Sequence, residues 1–143
     1  MLSEPQTGAR VLVVDDDATL RVMLTRLLDH AGYSAAAAAD VDRALARLAD
    51  DGADLVLTDI VMPGRSGLVL LAELREELPG LPVIAMSASD DEALLEAATI
   101  LGARAVLRKP FRAHVLFRAV DEALSRGGAQ DVQQLGATAE GRR

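Results

Sequence analysis

Between residues 9 and 126, short unbroken apolar runs alternate with stretches in which apolar residues recur every three or four positions. The runs predict strands at 10–14 (RVLVV), 33–38 (YSAAAA), 54–58 (DLVLT), 83–87 (VIAMS) and 104–107 (RAVL). The second of these rests on alanines, which favour helix over strand. Between the runs, Leu20, Met23, Leu24, Leu27 and Leu28 share one face of a helix that Gly32 stops. Val41, Ala44, Leu45 and Leu48 mark a second helix behind the cap residue Asp40, and Leu68, Leu71 and Leu74 a third. Leu94, Leu95, Ala98 and Leu101 mark a fourth that ends at Gly102, and Val115, Ala119, Val120 and Leu124 a fifth. Strands that are apolar throughout, rather than alternating, belong to parallel sheets covered on both faces. Five βα units of the α/β class follow.

Composition narrows what such a domain can do. At 143 residues the chain has one domain's length, with its ordered part expected at 9–126 and tails at 1–8 and 127–143, which are rich in Gly, Gln, Ala and Thr. A net charge of −7 and a pI near 4.7 exclude the basic balance that draws a protein to nucleic acid or anionic lipid. The chain has no cysteine, hence no disulfide, thiol nucleophile or Cys zinc site, and His30 and His114 lack ligand spacing. With no apolar leader and no membrane-length run, a cytoplasmic protein is expected. Tyr33, Phe111 and Phe117 are the whole aromatic set, so the core is aliphatic and offers no platform for stacking bases.

In an open parallel sheet, ligands bind beyond the carboxyl ends of the strands. Those ends carry Asp15, Asp16 and Asp17 after the first strand, Asp59 after the third, Ser87 at the end of the fourth, and Lys109 with Pro110 after the fifth. Carboxylates from neighbouring strand ends repel one another by about 4 kcal/mol per pair at 4 Å and an effective dielectric near 20. A hard divalent cation offsets that repulsion, and oxygen ligands without nitrogen or sulfur favour Mg2+. Lys109 adds a compact charge for a phosphoryl oxygen and Ser87 a donor for another. Together these groups suit phosphoryl transfer to a carboxylate. Taken singly, Asp15 and Asp16 also read as an acidic cluster at a helix N-terminus, and Asp17 reads best as the helix start.

The pieces VLVVDDD (11–17), LVLTDIVMPGRSGLVLL (55–71), VIAMSAS (83–89) and LGARAVLRKPF (101–111) stand in an order and spacing that resemble the receiver domain of bacterial two-component response regulators. The resemblance covers residues 10–126 and implies a flavodoxin-like fold: a five-stranded parallel sheet of order 2-1-3-4-5 with helices on both faces. It implies Asp59 as phosphoacceptor, Asp15, Asp16 and Asp59 as Mg2+ carboxylates, the Val61 carbonyl as a further metal ligand, Ser87 as switch hydroxyl and Lys109 as phosphate sensor. It also implies a cis Lys109–Pro110 bond and a Met62-Pro63-Gly64 turn over the site. Val106 departs from the family pattern, which has Tyr or Phe there, so the aromatic half of the switch is missing. The implied role is phosphorelay signalling rather than enzymatic turnover, with slow self-dephosphorylation only. The implied partners are a histidine kinase or phosphotransfer protein upstream and a target protein downstream, with no direct contact to nucleic acid or membrane. Seventeen tail residues hold no output domain, so the signal is expected to pass through protein contacts unless the chain is a piece of a longer regulator.

Two alternatives remain at this point. DDDATL at 15–20 fits the D-x-D-x-T pattern of haloacid dehalogenase-like phosphatases, with Asp15 as nucleophile and Asp17 as acid/base, although Ala18 replaces the usual Gly and Asp59 is left without a role. The other is a receiver-fold binding module that does not use phosphate. The partner face shows a charge pattern of its own. Arg104, Arg108, Lys109, Arg112 and Arg118 lie in an acid-free stretch, 104–118, just after Asp90, Asp91, Glu92 and Glu96 in a base-free one, 89–103. Adjacent strips of opposite sign are self-complementary under two-fold rotation, so a weak homodimer is one expectation and pairing within one chain the other.

Overall fold

The computed structural model describes residues 8–126 apart from Ser89. The expected tails therefore lie outside the described residues, except for Gly8. Ten elements alternate: β1 (Arg10–Val14), α1 (Ala18–His30), β2 (Ser34–Ala38), α2 (Val41–Asp50), β3 (Leu55–Asp59), α3 (Gly67–Glu77), β4 (Val83–Ser87), α4 (Glu92–Ile100), β5 (Ala105–Arg108) and α5 (Ala113–Arg126). The strands pair in parallel in the order β2-β1-β3-β4-β5, as expected.

Side chains alternate along each strand between two cores. Leu12, Val14, Val56, Val83 and Ala85 face the side covered by α2, α3 and α4, where Ala44, Leu70, Leu71, Leu74, Leu95 and Ala98 close the core. Val11, Val13, Leu55, Leu57, Ile84 and Met86 face α1 and α5, packing on Leu24, Leu28, Leu116 and Val120. All three aromatics, Tyr33, Phe111 and Phe117, belong to this second side. Val106 packs on the first, among aliphatic side chains.

The strands at 10–14 and 83–87 fall where the apolar runs put them, while β3 and β5 each begin and end one residue later than predicted. β3 thus includes Asp59 as its last residue. The alanine run does form β2, because pairing with β1 along Arg10↔Ser34 to Val14↔Ala38 overrides the helical preference of alanine. Two helix faces need correction. Met23 is 50% exposed on α1, and Val115 is 37% exposed on α5, where Leu116 is fully buried instead. Val115 and Leu116 both fit a helical period, and only the angle at which the helix meets the sheet decides between them.

Helix starts follow the cap residues in the sequence. Asp17 accepts from the N–H groups of Thr19 and Leu20, Asp40 from that of Arg43, Ser66 from that of Leu68 and Asp91 from that of Ala93. Between β3 and α3 the chain doubles back so tightly that the Gly67 N–H donates to the Ile60 carbonyl at 2.8 Å. A Cβ on Gly67 would stand 2.0 Å from the backbone oxygen of Asp59, so only glycine fits. Since the obstacle is backbone, Gly67→Ala is expected to destabilise the domain at or beyond the upper end of the roughly 1–3 kcal/mol typical of overpacking. Urea unfolding would read this as a lower midpoint at unchanged slope. A midpoint equal to that of the wild type would mean that the loop yields freely.

Candidate functional site

Three strand ends deliver charge to one point. Asp15, fully buried just beyond β1, is fixed through every polar group it has. Its N–H donates to the Ala38 carbonyl at 3.2 Å. Its carbonyl accepts from Arg21 Nη1 at 2.7 Å, its Oδ1 from the Asp17 N–H at 2.9 Å, and its Oδ2 from Lys109 Nζ at 2.8 Å. Asp16 is exposed at the rim, yet oxygens of Asp15, Asp16 and Asp59 lie within 4.8 Å of one another. Asp59, only 6% exposed, ends β3, and Lys109 Nζ stands 3.3 Å from its Oδ2. Ser87 is fully buried at the end of β4, one residue beyond Met86, the register partner of Asp59. The Lys109 N–H donates to the Ser87 carbonyl at 2.8 Å, which joins the end of β5 to the same corner. The Lys109–Pro110 bond is cis, as the resemblance implies.

The electrostatics are those of an incompletely neutralised cluster. Burial pushes the Asp59 carboxyl above the ordinary carboxylate range; the charge of Lys109 opposes this, that of Asp15 adds to it, and hydrogen bonds from Lys109 and the Val61 N–H oppose it. For Lys109, burial lowers the ammonium pKa, but hydrogen bonds and charge from Asp15 and Asp59 outweigh it and raise the net value. Three ionised carboxylates and one ammonium carry a formal −2. Either protons or a divalent cation can cancel that excess. The donor set is all oxygen, which fits Mg2+ and not a soft metal.

The four strand ends named from sequence thus meet at one place. Val61 lies two residues beyond Asp59 and is 56% exposed. Asp17 does not join the cluster as an acid/base: one carboxylate oxygen caps α1, through the Thr19 and Leu20 N–H groups. The phosphatase alternative, which needs Asp17 free, is therefore not favoured. The basic strip is narrower than its sequence suggests, because Arg108 pairs within the chain with Glu92 at 2.7 Å and Asp90 at 3.7 Å. Arg104 donates to the Ala123 carbonyl at 3.4 Å.

Two arginines escaped the sequence reading. Arg21 holds the Asp15 carbonyl, and its place on the first turn of the helix after the acidic run was the signal that could have found it. Arg65, in the turn after Asp59, reaches Asp42 on α2 and Glu73 on α3. No local pattern announces a partner 23 residues away.

Comparison with known proteins agrees with this geometry. The family model described as the response regulator receiver domain matches residues 11–121. The DNA-binding transcriptional regulator NtrC of Rhizobium meliloti (strain 1021) is 36% identical over 119 residues, 83% of this chain and 25% of that protein. The transcriptional regulatory protein CpxR of Klebsiella pneumoniae is 38% identical over 125 residues, 87% of this chain and 53% of that protein. The chain thus spans about a quarter to a half of the length of these curated relatives. Among solved structures, the receiver domain of NtrX from Brucella abortus superposes with a TM-score of 0.77 at 34% identity, covering 80% of this chain and 98% of that one. The chemotaxis protein CheY4 of Vibrio cholerae gives 0.77 at 28% identity, over 82% of this chain and all of that one. With the acid corner, the strand order and the family match in agreement, the chain belongs to the response regulator receiver domains, the phosphorylation-controlled modules of two-component signalling.

Proposed function

We propose that Asp59 accepts a phosphoryl group from a histidine kinase or phosphotransfer protein in a Mg2+-dependent reaction, and that the resulting change is read by a downstream target protein. The observation that carries this reading is the convergence of Asp15, Asp16, Asp59 and Lys109 at the carboxyl end of the sheet. A carboxylate oxygen of Asp59 attacks the phosphorus of a phosphohistidine; the P–N bond breaks as the P–O bond forms, and the released imidazole takes up a proton. Asp15, Asp16, Asp59 and the Val61 carbonyl would hold the cation, which supplies charge neutralisation for the transferring group. Lys109 is placed to hold a second phosphoryl oxygen, and Ser87 supplies a hydroxyl donor at the same corner. The chain acts as a signalling module rather than a turnover enzyme, with slow self-dephosphorylation as its only hydrolysis. The unit that does this is 9–126. Among the described residues no helix is long and apolar enough to cross a membrane.

Intact-mass spectrometry with acetyl phosphate and Mg2+ is expected to show one phosphoryl adduct, abolished by Asp59→Asn and by EDTA. An adduct of undiminished yield in Asp59→Asn would place the nucleophile elsewhere.

Protons and Mg2+ compete for the same excess charge, which gives a pH signature. Because the folded-state pKa of Asp59 is raised, its contribution to stability without metal is fully present below the ordinary carboxylate pKa and is lost as pH rises through the raised value. The stability gained by Asp59→Asn in EDTA is therefore expected to grow with pH across that window. Stabilisation of the wild type by Mg2+ is expected to appear over the same window, and Asp16→Asn to abolish it. Melting temperatures at a series of pH values, with and without Mg2+, test this. Equal Mg2+ stabilisation of the wild type and Asp16→Asn would remove Asp16 from the site.

We further propose a weak homodimer through the α4–β5–α5 face. Its support is that Arg112, Arg118 and Glu96 are exposed and have no ion-pair partner among the described residues. Sedimentation is expected to show self-association that beryllofluoride strengthens and salt weakens. A monomer throughout, or a dimer indifferent to Arg112→Glu and Arg118→Glu, would overturn it.

A further inference from the structure

The loop from Val61 to Ser66 joins the end of β3 to the start of α3. Both roots of this loop are fixed: the Ile60 N–H donates to the Met86 carbonyl at 2.9 Å, the Gly67 N–H to the Ile60 carbonyl at 2.8 Å, and Met62 is buried in the core. Beyond Met62 the arc runs through exposed Pro63, Gly64 and Arg65, with Gly64 at a φ of 79° that other residues rarely adopt. Arg65 spans two helices from this arc. Its Nη1 donates to Asp42 Oδ1 on α2 at 2.6 Å and its Nη2 to Glu73 Oε1 on α3 at 2.8 Å. Two bonds from different nitrogens of a planar fork fix where the group lies and how it is turned, which a single ion pair does not. Both anchors are themselves held, α2 through Val41 and Ala44 and α3 through Leu70, Leu71 and Leu74 in one core. At the other end of the arc, Val61 stands two residues beyond Asp59, the last residue of β3.

We propose that Arg65 is a positioning residue for cation binding at Asp59: tied to Asp42 and Glu73, it holds the 61–66 loop so that Val61 presents its carbonyl to Mg2+. This rests on the reading of Asp15, Asp16, Asp59 and Val61 as the Mg2+ site. Arg65 touches none of the reacting atoms, and its charge is matched by two carboxylates, so it acts through the loop and not through its field.

The sign of one substitution separates these two modes. Arg65→Met removes a positive charge, which by electrostatics alone strengthens the binding of a dication; loss of the tie weakens it. Calorimetric titration of Mg2+, well below the melting temperature of every variant, is expected to show about two- to fivefold weaker binding in Arg65→Met. That is less than the roughly 10- to 100-fold seen when a partner in direct contact with a metal ligand is lost. Arg65→Lys is expected to recover part of the affinity. Arg65→Met introduced into Asp42→Asn/Glu73→Gln is expected to add no further loss, because the tie is already cut. Amide hydrogen exchange at 61–66 is expected to quicken in Arg65→Met. If Arg65→Met binds Mg2+ as tightly as the wild type, or more tightly, the positioning role is overturned even if the melting temperature falls. If the wild type itself binds no Mg2+, the reading of the site fails, and the positioning role falls with it.

Discussion

Lys109 stands between two buried carboxylates, and the corner of the sheet is built around that contact. Asp15 is fully buried, so its charge needs a partner inside the protein, and the ammonium 2.8 Å away is that partner. Removing one member of a buried pair typically costs roughly 3–5 kcal/mol, because the other remains charged and desolvated. Lys109 comes from the chain that leaves the edge strand β5, Asp15 from β1 and Asp59 from β3 between them. One side chain thereby closes a contact across the carboxyl ends of three strands. A single lysine cannot fully neutralise three carboxylates, and the remainder is what makes the corner receptive to a cation.

The rest of the architecture serves to keep that imbalance in place. Parallel strands bring their carboxyl ends to one edge, helix starts follow immediately, and capping side chains such as Asp17 and Ser66 fix where each helix begins. Asp15 has its N–H, carbonyl and both carboxylate oxygens engaged, so it has no freedom left to relax away from Asp59. Asp16 differs. Its neighbours Asp15 and Asp17 are both hydrogen-bonded, and it is the one acid of the cluster that faces solvent.

Much of this is legible in the sequence because the site residues stand at or just beyond strand ends, where an apolar run breaks into charge. Val11–Val14 run directly into Asp15, Leu55–Thr58 into Asp59 and Val83–Met86 into Ser87. What stays hidden is whatever depends on tertiary geometry. Alanine at 35–38 carries no strand preference, and its extended form comes from the β1 edge beside it. Leu116 and Val115 are equally good helix-face candidates until the sheet selects the former. Arg65 and Arg108 look alike as exposed arginines, yet each finds carboxylates on another element that only the fold brings near.

The uneven placement of the three aromatic rings has a spectroscopic consequence. Tyr33, Phe111 and Phe117 all lie with α1 and α5, and the side covered by α2, α3 and α4 is aliphatic, Val106 included. Methyl groups of Val11, Val13, Leu24 and Leu28 share a core with rings and those of Leu12, Val14, Leu70 and Leu95 do not, so ring-current shifts are expected to fall on the first set. Across one sheet barely a side chain thick, the two cores give methyl spectra of different dispersion, and a methyl of the second set that moves reports on its immediate packing rather than on a rotating ring.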